Sequence, residues 1–216
     1  MSASMAWAQL PRAGPQATGM DAARLTEIDD AVQPALAASK MPGCVVLVAR
    51  HGKIVFLKAY GERSVEPVKT PMTVDTVFDV ASLTKPVATA TSVMLLAEQG
   101  KLALDDPVAK YLSDFAQSEK ESITIRQLLT HQGGLIADNA IEDYADGPEK
   151  AMARVMASGP QAKPGEAFKY SDVGFIVLGE LVRCVAGQNL DRFAAEHIFA
   201  PLGLEETNYL PGDELR

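Results

Sequence analysis

Cysteine, histidine and basic residues are scarce in this sequence of 216 residues. The two cysteines, Cys44 and Cys184, form no CxxC pair, which excludes a thioredoxin-like motif and a zinc knuckle. Both lie in apolar runs, so we expect buried free thiols in preference to a disulfide. The three histidines are scattered and form no HExxH or similar spacing, so no metal site is predicted. The sequence also has no GxGxxG motif and no phosphate-binding loop, and no cofactor is predicted.

The charge balance is acidic, with 20 Lys and Arg against 28 Asp and Glu and a net charge of −8. Sequence-independent binding to nucleic acid needs clustered basic residues, so a nucleic-acid partner is not predicted. No run of about 18 apolar residues occurs, so no membrane span is predicted. Hydrophobic residues make up 47%, an ordinary globular composition that supports one sizeable domain or two small ones.

Residues 1–19 are rich in Ala, Pro and Gly and are predicted to precede a folded domain over 20–216. The run Ala6-Trp7-Ala8 resembles a signal-peptidase site, but only five residues precede it, without a basic or an apolar region. Two interpretations remain open. A disordered leader implies a cytoplasmic protein, whereas a signal-peptide remnant, with a true start upstream, implies a periplasmic or secreted one.

Apolar patterning predicts a helix capped by Asp21, kinked by Pro34, and followed by a hairpin whose first strand is buried on both faces. A mostly helical stretch follows. Its predicted helices are 82–99, 125–131 behind a capping box of Thr124 and Gln127, 148–157, 171–185 before Gly187, and one capped by Asn189 to 199. The short run 119–121 is predicted to be a solvated loop. The sequence thus predicts an α/β (α+β) architecture, with a helical region and an antiparallel sheet.

The sharpest reactive cluster is Ser82-Leu83-Thr84-Lys85, at the start of a strongly apolar predicted helix. Residues three apart share a helix face, so the lysine amine can reach the serine hydroxyl. Serine becomes a good nucleophile when a base takes its proton, and a lysine serves as that base if burial lowers its pKa. The SxxK spacing alone has low specificity, and a helix-cap serine beside a solvated lysine is the alternative. The apolar helix argues against that alternative, because such a helix is normally buried.

A second cluster, Phe168 to Gly174, stands at the start of another apolar helix and contains Tyr170 and Asp172. A tyrosine beside a lysine ammonium gains phenolate character and can accept a proton. The alternative is a half-buried tyrosine followed by a helix cap.

Together these clusters resemble the serine β-lactamase and penicillin-binding-protein superfamily, above all class C β-lactamases and related esterases and D-Ala-D-Ala peptidases. Residues 78–115 are similar to its SxxK helix, 123–135 to a further stretch, 164–187 to its Tyr-Ser/Ala-Asn segment and 199–208 to the continuation. The resemblance begins near residue 20 and implies a β-lactamase-like fold.

The resemblance also implies that Ser82 is the acylated nucleophile, that Lys85 activates it, and that Tyr170 passes protons to the leaving group and the deacylating water. Asp172 stands at a substrate-binding position where β-lactamases usually have asparagine. A carboxylate cannot donate a hydrogen bond unless it is protonated, and it repels an acyl-amide carbonyl. This departure disfavours β-lactamase activity and favours an esterase or a peptidase-like activity.

The third motif of the superfamily, Lys/His-Thr/Ser-Gly, does not follow Tyr170. That motif supplies a wall of the site and one oxyanion amide, and loss of one such donor typically lowers a rate about 10²–10³-fold. We therefore expect a C-terminally truncated piece of a longer gene product, with a degenerate protein or one completed by a partner chain as alternatives.

Two functions remain open from the sequence. The first is a serine hydrolase that forms an acyl-enzyme on a small ester or acyl-amide substrate. The second is a non-catalytic remnant that binds peptide or peptidoglycan-like ligands, or a partner chain. The sequence makes no prediction of oligomeric state.

Overall fold

The computed structural model describes residues 10–210 and residue 212. The small-residue site at Ala6 lies outside the described residues. The chain divides into two units, Met1–Phe78 and Asp79–Arg216.

Helix α1 of the first unit, Ala22–Ala37, begins where the sequence predicts it. The Asp21 carboxylate accepts hydrogen bonds from the amides of Ala23 at 2.8 Å and Arg24 at 3.4 Å. These bonds satisfy two amides that have no partner inside the helix, and they confirm the predicted cap. Pro34 lies inside the helix near its end.

The strands of the first unit are β1 (Gly43–Arg50), β2 (Lys53–Ser64) and β3 (Thr70–Pro71), in the order β1-β2-β3 and antiparallel. The predicted hairpin is confirmed, and β2 extends further than expected. The turn residues His51 and Gly52 have φ of 52° and 68°. Two consecutive positive φ angles give a turn whose twist matches that of paired strands.

The prediction that β1 is buried on both faces is wrong. Its residues are half-buried or exposed, and Leu47 is 51% exposed. The buried residue of the hairpin is Tyr60 on β2, whose hydroxyl donates to the Asp29 carboxylate of α1 at 2.6 Å. The helix therefore covers β2, and β1 lies at the edge of the described sheet.

Residues 11–19, part of the segment expected to be a leader, are ordered against β2. The amide of Ala13 donates to the Ile54 carbonyl, and the amide of Ile54 donates to the Pro11 carbonyl, both at 2.9 Å. A short 3₁₀ helix, Pro15–Thr18, follows, and its Thr18 is buried.

The second unit contains helices joined by long loops. They are α2 (Thr91–Glu98), α3 (Ile125–Leu129), α4 (Pro148–Ala157), α5 (Asp172–Ala186) and α6 (Leu190–Ala194). A π-helical segment, Lys85–Ala90, leads into α2, and another, Ala195–Phe199, continues α6. The core is built mainly from α5 and the residues that pack on it, among them Val93, Leu96, Phe115, Ile125, Leu128, Val177, Leu178, Leu181 and Phe193.

Several predicted helix ends are confirmed. Thr124 and Gln127 form the capping box of α3, Ser171 caps α5, and Gly187 ends α5 at a φ of 74°. Helix α3 is shorter than predicted because the chain leaves the helix at Thr130, and His131 has a φ of 55°.

Burial of the helical stretch 82–99 is one-sided. Val93 and Leu96 are fully buried, but Val87 is 43% and Met94 49% exposed. The expectation of burial all round is therefore wrong. The reason is that α2 packs on α5 and α6 along one side, and its other apolar side chains face outward.

The expectation of two buried cysteines is also wrong. Both are free as expected, but Cys44 is half-buried and Cys184 is exposed. Cys184 lies on the outer side of α5, where its thiol donates to the Tyr111 carbonyl at 3.3 Å. An apolar run does not specify which of its residues face the core.

Among the described residues no single helix is long and apolar enough to cross a membrane. Helix α5 and the segment Leu190–Phe199 reach the required length and apolar character only when they are taken together, and a bend of 74° separates them.

Candidate active site

Ser82 follows an abrupt change of chain direction. Ala81 has a φ of 43°, in the left-handed region that a residue with a Cβ rarely adopts. The Asp79 carboxylate holds it there by accepting from the Ala81 amide at 2.8 Å. Ala81–Leu83 then form a 3₁₀ turn that runs into the Lys85–Ala90 segment. Unusual helical geometry of this kind often marks a functional site.

The turn brings Lys85 over Ser82. Ser82 lies in the 3₁₀ turn and Lys85 begins the helical segment that follows, so about one turn separates the two residues and their side chains can meet. The Lys85 Nζ donates to the Ser82 Oγ at 3.0 Å. The contact that the SxxK spacing predicts is present.

Tyr170 lies beside this pair. The Lys85 Nζ is 5.0 Å from the centre of the Tyr170 ring and 5.8 Å from that of Phe175. Hydrogen bonds from Lys85 and Ser82 lower the pKa of the Tyr170 phenol, and the positive charge of Lys85 lowers it further. The structure therefore brings the three predicted reactive residues together.

Asp172 contacts Lys85. Its carboxylate forms an ion pair with the Lys85 Nζ, and the lysine side chain is only 13% exposed. Burial by itself lowers the pKa of Lys85, but the hydrogen bonds to Asp172 and Tyr170 outweigh it, and the pKa is raised. The condition under which a lysine is a neutral base, a pKa lowered by burial, is therefore not met. The reason is that a carboxylate partner stabilises the ammonium.

His131, the last residue of the predicted helix 125–131, lies in the site beside Tyr170 and Ser171. Its ring stacks on Tyr170 with 4.4 Å between ring centres, and its Nδ1 accepts from the Ser171 amide at 3.1 Å. Burial lowers the pKa of His131, and the neighbouring Lys85 charge lowers it further. A neutral imidazole fits this place, because a protonated Nδ1 cannot accept a hydrogen bond.

Two pockets meet at Lys85. One has a volume of about 460 Å³ and is lined by Val80, Ser82, Leu83, Lys85, Pro86, Ala90, Leu129, His131, Tyr170 and Phe175. The other, of about 520 Å³, is lined by residues that include Thr84, Lys85, Asp138, Tyr144, Asp172, Phe175 and Tyr209. The predicted nucleophile and Tyr170 thus face the first pocket, and Asp172 faces the second.

No three His, Cys, Asp or Glu side chains cluster in a way that suits a metal ion within the part of the chain that the structure describes.

Several known proteins are similar to this chain over most of its length. Residues 28–215 match the family model described as Beta-lactamase. A protein of Escherichia coli O157:H7 named "Putative D-alanyl-D-alanine carboxypeptidase" is 33% identical over 223 residues, which cover 94% of this chain and 51% of that protein. Esterase EstB of Burkholderia gladioli is 34% identical over 224 residues, which cover 94% of this chain and 56% of the esterase.

Among solved structures, a class C β-lactamase mutant superposes with a TM-score of 0.76 at 25% identity. The superposition covers 91% of this chain and 54% of that one. The chain therefore has the β-lactamase-like fold over about half the length of the proteins that it matches.

The family match covers most of the sequence and includes both reactive clusters. On this ground, the chain belongs to the β-lactamase family.

Proposed function

We propose that the chain carries the nucleophile and proton-transfer groups of a serine hydrolase that works through an acyl-enzyme. Ser82 attacks the acyl carbon, and Lys85 and Tyr170 activate the serine. The observation that carries the proposal is the 3.0 Å hydrogen bond from Lys85 to the Ser82 hydroxyl, at the floor of an open pocket.

The proposed substrate class is a small ester or acyl-amide. A named esterase and a named carboxypeptidase are about equally similar to this chain, so relatives of both kinds support the class. The ester is favoured by the lack of an amide donor. β-Lactamases usually present an asparagine amide to the acyl-amide at the position of Asp172, and this chain has none there, whether or not the carboxylate meets the substrate.

Covalent labelling tests the nucleophile. A fluorophosphonate should modify Ser82, with the adduct located by peptide mass spectrometry, and Ser82→Ala should abolish it. The matched control Ser113→Ala, on an exposed serine of a surface turn, should leave labelling unchanged. Absence of an adduct on Ser82 would contradict the hydrolase and favour a binding role without catalysis.

Substrate preference needs a separate assay. We expect short p-nitrophenyl esters to be turned over faster than a chromogenic cephalosporin. Efficient turnover of the cephalosporin would contradict the inference drawn from Asp172.

A further inference from the structure

The backbone fixes the Asp172 carboxylate beside Lys85. Asp172 is the first residue of α5, directly after the cap residue Ser171. Its amide donates to the Ala137 carbonyl at 2.7 Å, which holds the start of the helix in place. A carboxylate in the first turn of a helix is also favoured by the partial positive charge of the N-terminus.

The Lys85 ammonium is surrounded by groups from several segments. Ser82 faces it from the preceding turn, and Tyr170 from the segment before α5. The imidazole of His131 is close enough for the lysine charge to lower its pKa. Helix α5 contributes Asp172 and the Phe175 ring. Asp172 is the carboxylate of this set and so supplies the counter-charge to the ammonium.

Lys85 separates Asp172 from the pocket of the nucleophile. Ser82 and Tyr170 line the pocket of about 460 Å³, whereas Asp172 lines the pocket of about 520 Å³. Lys85 and Phe175 line both. The carboxylate and the nucleophile therefore lie on different pockets that share the lysine.

We propose that Asp172 is a positioning residue that holds Lys85 as a fixed ammonium against the Ser82 hydroxyl, and that it acts through Lys85 and not through contact with the substrate. This inference rests on the proposed serine hydrolase function. It revises the expectation that Asp172 binds substrate, because the carboxylate is paired with the lysine and lines a different pocket from the nucleophile.

Lys85 and Tyr170 then have different roles in the reaction. With Lys85 donating to the Ser82 Oγ, the serine proton passes to the Tyr170 phenolate oxygen as the Oγ forms its bond to the acyl carbon. Tyr170 returns that proton to the leaving-group atom when the bond from the acyl carbon to the leaving group breaks. Lys85 keeps its proton throughout this acylation, and water then hydrolyses the acyl-enzyme and returns the proton to Ser82.

The rate of Ser82 labelling by a fluorophosphonate, measured across pH, tests the inference. In the wild-type chain the rate should fall at alkaline pH as Lys85 loses its proton. Asp172→Asn removes the counter-charge, so this alkaline fall should move to lower pH by about one to three units. The matched control Asp138→Asn makes the same chemical change in the wall of the larger pocket and should keep the wild-type alkaline fall.

Single-turnover kinetics on a p-nitrophenyl ester separate positioning from substrate contact, because KM in an acyl-enzyme mechanism also contains the acylation and deacylation rates. Asp172→Asn should change the acylation rate constant and its pH dependence and leave the dissociation constant of the ester unchanged. A changed dissociation constant with an unmoved pH profile, or a labelling rate that rises as Lys85 deprotonates, would overturn the inference.

A direct titration covers the case in which Asp172→Asn does not fold. The Lys85 ¹³Cε resonance of the wild-type chain, assigned with Lys85→Arg, should titrate above the range of an ordinary lysine. Titration below that range overturns the inference. If Ser82 is not labelled at any pH, the proposed function fails. If it is labelled and the Asp172→Asn and wild-type profiles coincide, only the role of Asp172 fails.

Discussion

The imidazole of His131 connects two parts of the site. Its Nδ1 accepts from the Ser171 amide, and its ring lies against Tyr170. The residue itself has a φ of 55°, which turns the chain out of α3 and towards the site. A histidine at this place thus fixes the backbone just before α5 and supports the face of the Tyr170 ring.

This role predicts an acid-sensitive stability. Because burial and the Lys85 charge lower the pKa of His131, the unfolded chain binds a proton more readily than the folded chain. The free energy of unfolding should be unaffected by this group above the ordinary histidine pKa of about 6.5 and should fall as the pH drops from there towards the lowered pKa. Urea unfolding at several pH values measures it.

The variant His131→Phe keeps the stacked ring and removes the titrating group. Its free energy of unfolding should therefore no longer show the fall below about pH 6.5 that His131 causes. His51→Gln, in the exposed turn between β1 and β2, is the matched control and should keep the slope. Equal slopes in the wild-type and His131→Phe chains would contradict the assignment.

Lys120 is a second residue whose role the sequence does not indicate. The run 119–121 was predicted to be a solvated loop, yet Lys120 is fully buried. Its Nζ donates to the carbonyls of Met156, at 2.6 Å, and Ser158, and lies 5.1 Å from the centre of the Phe115 ring. These carbonyls lie at the end of α4, where helix carbonyls lack partners inside the helix.

Lys120→Met should therefore lower the free energy of unfolding by about 1–3 kcal/mol, because it leaves buried carbonyls without a donor while keeping most of the volume. The same change at an exposed lysine, Lys101→Met, should stay within about 0.5 kcal/mol. Equal effects at the two positions in chemical denaturation would show that the buried bonds contribute nothing.

At the scale of elements, the start of α5 sets the geometry of the site. The Ser171 Oγ accepts from the Gly174 amide at 3.0 Å and donates to the Ile136 carbonyl at 2.6 Å. One hydroxyl therefore begins the helix and ties it to the segment after α3. Tyr170 and Asp172 flank this residue and take their positions from it.

Ser171→Ala should lower the free energy of unfolding by about 1–3 kcal/mol, through the lost cap and the unpartnered carbonyl. Labelling of Ser82 should also slow, because the flanking residues lose their anchor. Asn189 stands at the N-cap position of α6 but makes no side-chain cap bond. Asn189→Ala should therefore be nearly neutral. Thermal and urea unfolding of both variants measure the difference, and similar losses would contradict the role of Ser171.

At the scale of the whole molecule, the open edge of the sheet has the clearest consequence. Within the described residues β1 pairs with β2 alone, and Leu47 on it is half exposed. Unpaired strand edges with apolar side chains are templates for strand addition between molecules.

Leu47→Lys should therefore reduce concentration-dependent self-association of this chain in sedimentation velocity, because a charge on an edge strand opposes pairing. Val68→Lys adds the same charge at an exposed residue outside the strands and is the control. If both variants associate as the wild-type chain does, the edge of β1 is not the contact.

Local patterns predicted most of the elements. Asp21, Thr124 and Gln127 act within one helical turn, so the caps of α1 and α3 could be predicted from the local sequence. The hairpin could be predicted from its turn residues and its apolar strands. Asn189 occupies its predicted N-cap position, but its side chain makes no cap bond.

The sequence by itself determined the contact between Ser82 and Lys85, since they are three residues apart and one helical turn joins them. It could not determine the charge of Lys85, the position of Asp172 or the burial of Lys120. Each of these depends on side chains far apart in the chain, such as Lys85 with Asp172 and Lys120 with Met156. Local spacing specifies contacts within a turn, whereas burial and ion pairing depend on which segments pack together, and only the tertiary structure decides that.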